Sequence, residues 1–439
     1  MQKKWFSIVS LVLVVLMVLS GCAADTSAPP TQATTTQSST SSEGNNTGED
    51  PVELTYWTGT WHETLLPDLL VKFNEKYPNI KINAEYFPWD GMADKYTVAL
   101  QSNSGPDLMN LAYIWILPYS TMGKLENLNS YITKAGVDLS DFFKGALQAG
   151  QKDGNTYALP YRTEGIALIY NKDMFKAANL DPEKPPETWA QLREYSKKLT
   201  TDKVAGFGMC GKQVDNVTIQ IYSLMMSNGA ELIKPDGLTT DFTSPKAIEA
   251  FTNWVEMATV DKSVPASVLE NDNTTNRNLF ANEQVAMYIS ASYDLQPIKE
   301  ANPDINMGFG LFPAMTTKEE TKTQIGGWSL GMTNTCKNKD AAFDFINFFT
   351  STEMCPLYSD TLPARKSSMS NDLYKDPDFQ IFFDCLDYAT AIPASSVITQ
   401  VNQALYVQAQ AVLAGEATIE EAMAAAAKDA EAALKDAKF

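Results

Sequence analysis

A chain of 439 residues is too long for one ordinary core and predicts two or more domains. Hydrophobic residues make up 44% and charged residues 20%, the balance of a water-soluble globular protein. The net charge of -19 repels nucleic acid and anionic lipid head groups, and a single histidine leaves little for His-based catalysis or a metal site.

The chain opens with a targeting pattern. Lys3 and Lys4 give a positive start, and Trp5–Leu19 is an apolar run shorter than the roughly 20 residues a spanning helix needs. It ends in Leu19-Ser20-Gly21-Cys22, which resembles the bacterial lipobox, where the cysteine is diacylated on its sulfur and becomes the mature N-terminus. Residues 1–21 read as a lipoprotein signal peptide and residues 22–50 as a disordered tether. Ala23–Asp50 holds 12 Ser or Thr among 28 positions and no Val, Ile, Leu or aromatic residue, so it cannot bury a core.

Val52–Trp57 alternates and predicts a strand. Leu65, Leu66, Leu69, Leu70 and Phe73 follow at helical spacing, with a stop at Tyr77-Pro78, and Ile80, Ile82, Ala84 and Tyr86 alternate again. Strand, helix and strand in so short a span predict a βαβ unit with a parallel sheet, whose ligands bind beyond the carboxyl ends of the strands. Trp57, Trp61, His62 and Glu63 lie there. Met92–Gln101 predicts a second helix and Pro106–Leu111 a third strand, with Tyr113 and Trp115 beyond it.

Gly154–Pro160 predicts a short strand leading into Tyr161-Arg162-Thr163-Glu164. This polar quartet sits between a proline and the apolar, β-prone Ile166–Tyr170, and reads as a crossing between two lobes with side chains in the gap. Thr188–Gln191 fits a capping box. Ile219–Asn228, Ser244–Thr259 and Lys339–Thr350 predict helices. Val204–Met209, Val285–Ile289, Ile305–Pro313 and Trp328–Thr333 predict strands. Thr418–Glu421 is a second capping box before an Ala-rich end. Strand and helix alternate throughout, so the class is α/β. Cys210, Cys336, Cys355 and Cys385 form no CxxC pair and read as buried free thiols.

Three short motifs invite catalytic readings. Gly206–Gly211 matches GxGxxG, but a helix end precedes it where a strand is needed and the polar KQVDN follows, so a dinucleotide site is not expected. With Lys212 the same run resembles a phosphate-binding loop, yet Gln213 stands where the Ser or Thr for magnesium belongs. Gly327–Gly331 matches GxSxG around Ser329, but a serine hydrolase of that type needs a later histidine and none follows.

The crevice residues combine rings with carboxylates, amides and arginine. Trp57, Trp61, Tyr113, Trp115, Tyr161, Tyr293 and Trp328 could stack on sugar C–H faces, while Glu63, Arg162, Glu164, Asp294 and Arg365 could pair with hydroxyls. Paired carboxylates such as Glu63 and Glu164 also leave open a secreted glycoside hydrolase.

The runs YALPYRTEGIALIYNKDMF, PETWAQLREYSKKLT, NLFANEQVAMYISASYDL and GGWSLGMT resemble the extracellular solute-binding proteins of family 1. The resemblance runs from about residue 52 to the C-terminus. It implies a two-lobed α/β fold of the type II periplasmic-binding-protein kind, with lobes joined by hinge crossings that close on ligand. It also implies a carbohydrate receptor, without cofactor or catalysis, that hands its sugar to ABC permease subunits with a cytoplasmic ATPase. With the lipobox, this places a monomer, anchored at Cys22, on the outer face of the cytoplasmic membrane of a Gram-positive cell. In the family pattern Glu164 meets sugar hydroxyls, Trp328 stacks a ring, Tyr293 stands where many members have Trp, and Arg365 reaches the cleft from a loop. Members that bind maltose also stack it on an aromatic in the segment resembling Ile392–Val401, which here has none. The expected lobes are 51–161 plus 289–331, and 162–288 plus 332–439. The same fold holding a non-sugar solute stays open.

Overall fold

The computed structural model describes residues 51–437 except residue 90, residues 359–360 and residues 391–394. The signal peptide, Cys22 and the tether lie outside the described residues, as does part of Ile392–Val401.

The strands that carry the architecture are β1 (Val52–Gly59), β2 (Ile80–Phe87), β3 (Leu108–Ala112), β4 (Ala158–Glu164), β5 (Ala167–Asn171), β6 (Met287–Ser290), β7 (Met307–Leu311), β8 (Gly326–Met332) and β9 (Leu362–Pro363). The first sheet runs β9-β4-β8-β3-β1-β2. β1 pairs in parallel with β2 and β3, through the predicted βαβ unit whose helix is Leu66–Lys76. β8 enters antiparallel between β3 and β4. The second sheet is antiparallel, in the order β6-β5-β7, and the backbone at Ala205 and Gly208 bridges onto Val285 and Tyr288 of its edge.

Each sheet has its own core. On the first, Tyr56 meets Phe345 and Phe349 of the helix Lys339–Phe349, with ring centroids 5.4 and 6.3 Å apart. On the second, Trp189, Phe251 and Trp254 are buried among the helices Val214–Ser227, Pro245–Thr259, Ile398–Leu413 and Ile419–Asp436. A third, smaller cluster joins Ile169 and Tyr288 of the second sheet to Leu362, Phe382 and Cys385. Large rings dominate these cores because each removes on the order of 150–250 Å² from water. Both predicted capping boxes form, at Thr188 with Gln191 and at Thr418 with Glu421.

The two sheets make two lobes, and the first crossing between them is short. β4 ends at Glu164 and β5 begins at Ala167, so the chain changes sheet across Gly165 and Ile166. A Cβ on Gly165 would stand 2.1 Å from the Phe382 carbonyl oxygen and 3.0 Å from Cys385 Cβ, so only hydrogen fits there. The second crossing leads from β7 to β8 and the third from β9 to the C-terminal helices. They are zipped together where Thr323 and Gln324 pair in parallel with Ala389 and Thr390.

The expected lobe boundaries are redrawn. β6 and β7 belong to the second sheet, so the segment 289–331 is divided between the lobes. The helix Lys339–Phe349 and the helix Met354–Tyr358 pack on the first core, so 332–439 is divided as well. Arg162–Glu164 stay in the first sheet, in register with β8 and β9. Strand order in sequence does not say which sheet a strand joins; pairing partners decide it.

The three short motifs have packing explanations. A Cβ on Gly206 would lie 2.0 Å from the Ser196 carbonyl oxygen and one on Gly211 2.4 Å from that of Val268, so these glycines permit close backbone contact. Ser329 is fully buried inside β8, not displayed on a turn. All four cysteines of the described residues are free and buried, and burial pushes each thiol up to about 12.

Candidate functional site

β1, β2 and β3 are parallel, so their carboxyl ends fall on one edge of the sheet. After β1 comes the turn Thr60–His62 with Trp61; after β2 comes Trp89; after β3 a helix starts directly at Tyr113 and carries Trp115 in its first turn. β8 runs the other way, so its start, with Trp328, reaches the same edge. The four indoles form one cluster. Trp61 and Trp328 lie 4.8 Å apart, Trp89 and Trp115 stack at 5.1 Å and 12°, and Trp328 meets the edges of Trp89 and Trp115 at 5.5 Å each. Trp115 and Trp328 are 2% and 6% exposed, whereas Trp61 and Trp89 are half-buried and offer the accessible surfaces. The Trp61 indole N–H has no acceptor among the described residues.

The first crossing borders this cluster. Arg162 donates to Glu164 at 2.8 Å, with the two side chains only 7% and 14% exposed, and the Arg162 guanidinium carbon lies 5.8 Å from the Trp328 ring. Tyr113 OH donates to the Arg162 carbonyl oxygen at 2.7 Å. Gly327 is held at a φ of 145°, and a Cβ there would lie 2.5 Å from the Tyr113 ring and 2.6 Å from that same carbonyl, so glycine is required for the ring to reach its acceptor.

From the second lobe, Tyr293 is half-buried and its hydroxyl accepts from Asn273 Nδ2 at 3.1 Å. Burial, then the charges of Asp294 and Glu164, push the Tyr293 hydroxyl well above the usual tyrosine range. The field of Glu164 thus reaches across from the crossing. Asp294 itself is 1% exposed. It accepts from Ser290, Tyr288, Asn273 and Arg277, and burial raises its carboxyl. Asp215 opens the helix Val214–Ser227, and burial lifts its carboxyl to about 6.

Several sequence-predicted contacts are placed elsewhere. Asp294 has its oxygens taken up inside the second lobe. His62 is fully buried under Trp61, between Thr58 and Tyr161, and Tyr161 is equally buried. Arg365 does not reach a cleft. Its Nη1 donates to Asp141, its Nε to the Thr350 carbonyl, and its guanidinium covers the Phe142 ring at 4.0 Å. Trp57 packs on Phe87 and Tyr96 under the Lys95 ammonium, beside the cluster rather than in it. Glu63 is exposed on the turn after β1. Trp89 was missing from the predicted set, although the strand-end rule that selects Trp61 and Trp115 selects it too. Among the described residues no group of three or more His, Cys, Asp or Glu could hold a metal ion.

The sequence profile of the bacterial extracellular solute-binding proteins matches residues 57–354. A relative from Brucella abortus, named as a binding protein, is 27% identical, covering 83% of this chain and 88% of the relative. The maltotriose-binding protein of Pyrococcus abyssi is 24% identical, covering 76% and 70%. Among solved structures, an ABC transporter solute-binding protein from Thermotoga lettingae bound with α-D-tagatose superposes with a TM-score of 0.80. It is 26% identical and covers 87% of this chain and all of its own. The architecture is thus the two-lobed type II periplasmic-binding fold, and the chain belongs to the bacterial extracellular solute-binding proteins.

Proposed function

We propose that this chain is a lipid-anchored receptor that holds a neutral sugar or oligosaccharide between its lobes and delivers it to an ABC importer. The observation that carries the reading is the cluster of Trp61, Trp89, Trp115 and Trp328 beside the buried Arg162–Glu164 pair. Flat rings take the C–H faces of pyranoses, and a charge pair at the crossing supplies donors and acceptors for hydroxyls. Arg162 already answers Glu164, which disfavours anionic solutes such as sugar phosphates. The maltotriose and tagatose named for the relatives are of the same neutral class.

Ligand closes the lobes to the extent that it binds the closed form better than the open one. Trp61, Glu63, Tyr113, Arg162, Glu164, Tyr293 and Trp328 are the residues proposed to meet it or hold those that do. The glycoside hydrolase reading is weaker, because Glu164 is committed to Arg162 and so is poorly placed to act as an acid. Cys22 is the proposed anchor, on the outer face of the cytoplasmic membrane, and the receptor acts as a monomer.

A thermal-shift screen over mono- and oligosaccharides tests the ligand class. Stabilisation by at least one neutral sugar is expected, and a flat response to all of them rejects the reading. Sustained release of new reducing ends from maltotriose would instead favour the hydrolase. Membrane fractionation of Cys22→Ser tests the anchor, which is rejected if the variant stays in the pellet.

A further inference from the structure

His62 sits one residue past Trp61 and contacts two separate elements. Its Nδ1 lies 2.6 Å from Thr58 Oγ1 near the end of β1, and its Nε2 lies 3.3 Å from Tyr161 OH on β4. Phe349 and Tyr358 enclose the ring at centroid distances of 6.1 and 5.2 Å. A neutral imidazole carries one donor and one acceptor, and each hydroxyl can take either role, so both contacts are satisfied together.

Tyr161 is an unusual partner. Trp328 pairs with Arg162 and Ser329 with Pro160, so Tyr161 is the extra residue of a β-bulge in β4. Bulges re-aim side chains. This one points the Tyr161 hydroxyl at His62 while leaving Arg162 and Glu164, one and three residues on, at the edge of the indole cluster. The turn Thr60–His62 has no side-chain cap of its own. Its backbone is closed by the bond from Glu63 N–H to the Thr60 carbonyl, at 3.1 Å. His62 is therefore the tie between the turn that presents Trp61 and the strand that becomes the first crossing.

We propose that His62 is a positioning residue that locks the Trp61 turn to the first crossing, so that ring platform and hinge strand move as one body. Sugar seated on Trp61 then bears directly on the strand that closes the lobes. This deepens the sugar-receptor reading and rests on it for the identity of the load. A residue that only filled the core would need volume, not two directed hydrogen bonds to two elements. Burial and then Arg162 hold the imidazole far below its usual range, so it stays neutral and able to accept. Arg162 is the charged group that acts on it; Tyr161 and Tyr358 are the other titratable side chains against it.

The test uses the full chain and three substitutions. His62→Gln keeps an amide near the Nε2 position, toward Tyr161. His62→Asn keeps one near Nδ1, toward Thr58 alone. Tyr161→Phe removes the hydroxyl and keeps the ring on Phe349. Maltotriose and diacetylchitobiose serve as probes in calorimetry. Lobe separation is read from spin labels at Val98→Cys and Val260→Cys, both 65% exposed and on opposite lobes. The four thiols of the described residues, buried and raised to about 12, stay unlabelled, and Cys22 is replaced by Ser in the labelled proteins.

His62→Asn and Tyr161→Phe should each weaken sugar binding about fivefold, the worth of one net hydrogen bond. Their combination should be no worse than either alone, because both break one link. His62→Gln should stay near wild type. The label distances should broaden in His62→Asn and Tyr161→Phe and not in His62→Gln. Variants that lower the melting temperature alike, with affinity and distances unchanged, would reduce His62 to a core residue and overturn the proposal. If the wild-type chain binds neither sugar, the receptor reading fails for these probes, and the distance distributions alone decide the role of His62.

Discussion

Gly165 is the tightest point of the first crossing, and Gly165→Ala tests the hinge there. The added methyl carbon would start 2.1 Å from the Phe382 carbonyl oxygen and 3.0 Å from Cys385 Cβ. Ordinary carbon–oxygen contact is about 3.3 Å, so the crossing and the helix Gln380–Leu386 must part by about 1.2 Å. The obstacle is backbone carbonyl, which cannot swing aside as a side-chain end can. Overpacking of this kind costs about 1–3 kcal/mol, and the stiffer unfolded chain returns less than about 1 kcal/mol. A net loss near 1–2 kcal/mol is expected, read from the urea midpoint by circular dichroism. Because the contact joins the first crossing to the third, sugar affinity should weaken as well. Gly105→Ala is the control: its nearest neighbour is Leu100 Cδ2 at 3.4 Å, an ordinary contact, so its midpoint should hold within about 0.5 kcal/mol. A Gly165→Ala protein with wild-type midpoint and affinity would refute the packing described for the hinge.

Further outcomes follow from the same geometry. Glu164→Gln removes the carboxylate charge that faces the buried Arg162 guanidinium and should lower stability by about 1–3 kcal/mol in chemical denaturation and weaken sugar binding; wild-type stability and affinity together would contradict a role for the pair. Trp328→Ala removes a 6%-exposed ring from among three indoles and should cost about 3–5 kcal/mol, whereas Trp61→Ala should spare stability and lower affinity about tenfold in calorimetry. His62 is depressed in the folded state, so below its ordinary value of 6.5 the unfolded chain binds a proton that the folded chain refuses. Stability from this group is present above that value and lost as the pH falls. Asp215, raised to about 6, and Asp294, also raised, act in the opposite sense. Comparing wild type with His62→Gln between pH 7 and pH 5 cancels the carboxylates. The variant should lose less stability on acidification, and parallel curves would contradict a buried neutral His62.

Local order was legible where one physical rule dominates. Hydrophobic period and caps located the helix at Met92–Gln101 and both capping boxes, because those signals are contained in a few residues. The strand-end rule located Trp61 and Trp115, and it reached Trp328 through the family pattern. What failed is long-range. Nothing near β7 says that it pairs with β5 rather than with the first sheet, and nothing near Arg365 says that Asp141 and the Thr350 carbonyl will claim its donors. Asp294 and His62 carry the right chemistry for a sugar but are turned inward, His62 by Tyr161 from a distant strand and Asp294 by Tyr288, Ser290, Asn273 and Arg277 of its own lobe. Tyr113, expected beyond the third strand, opens the helix Tyr113–Thr121 there, with its hydroxyl on the Arg162 carbonyl beside Gly327.

The most direct test is isothermal titration of the wild-type chain and of Trp61→Ala with maltotriose, diacetylchitobiose and D-tagatose. Saturable binding of at least one of these by wild type, weakened about tenfold or more in the variant, is the expected result. No heat from any neutral sugar, or equal affinity in both proteins, would contradict a sugar site at the tryptophan cluster.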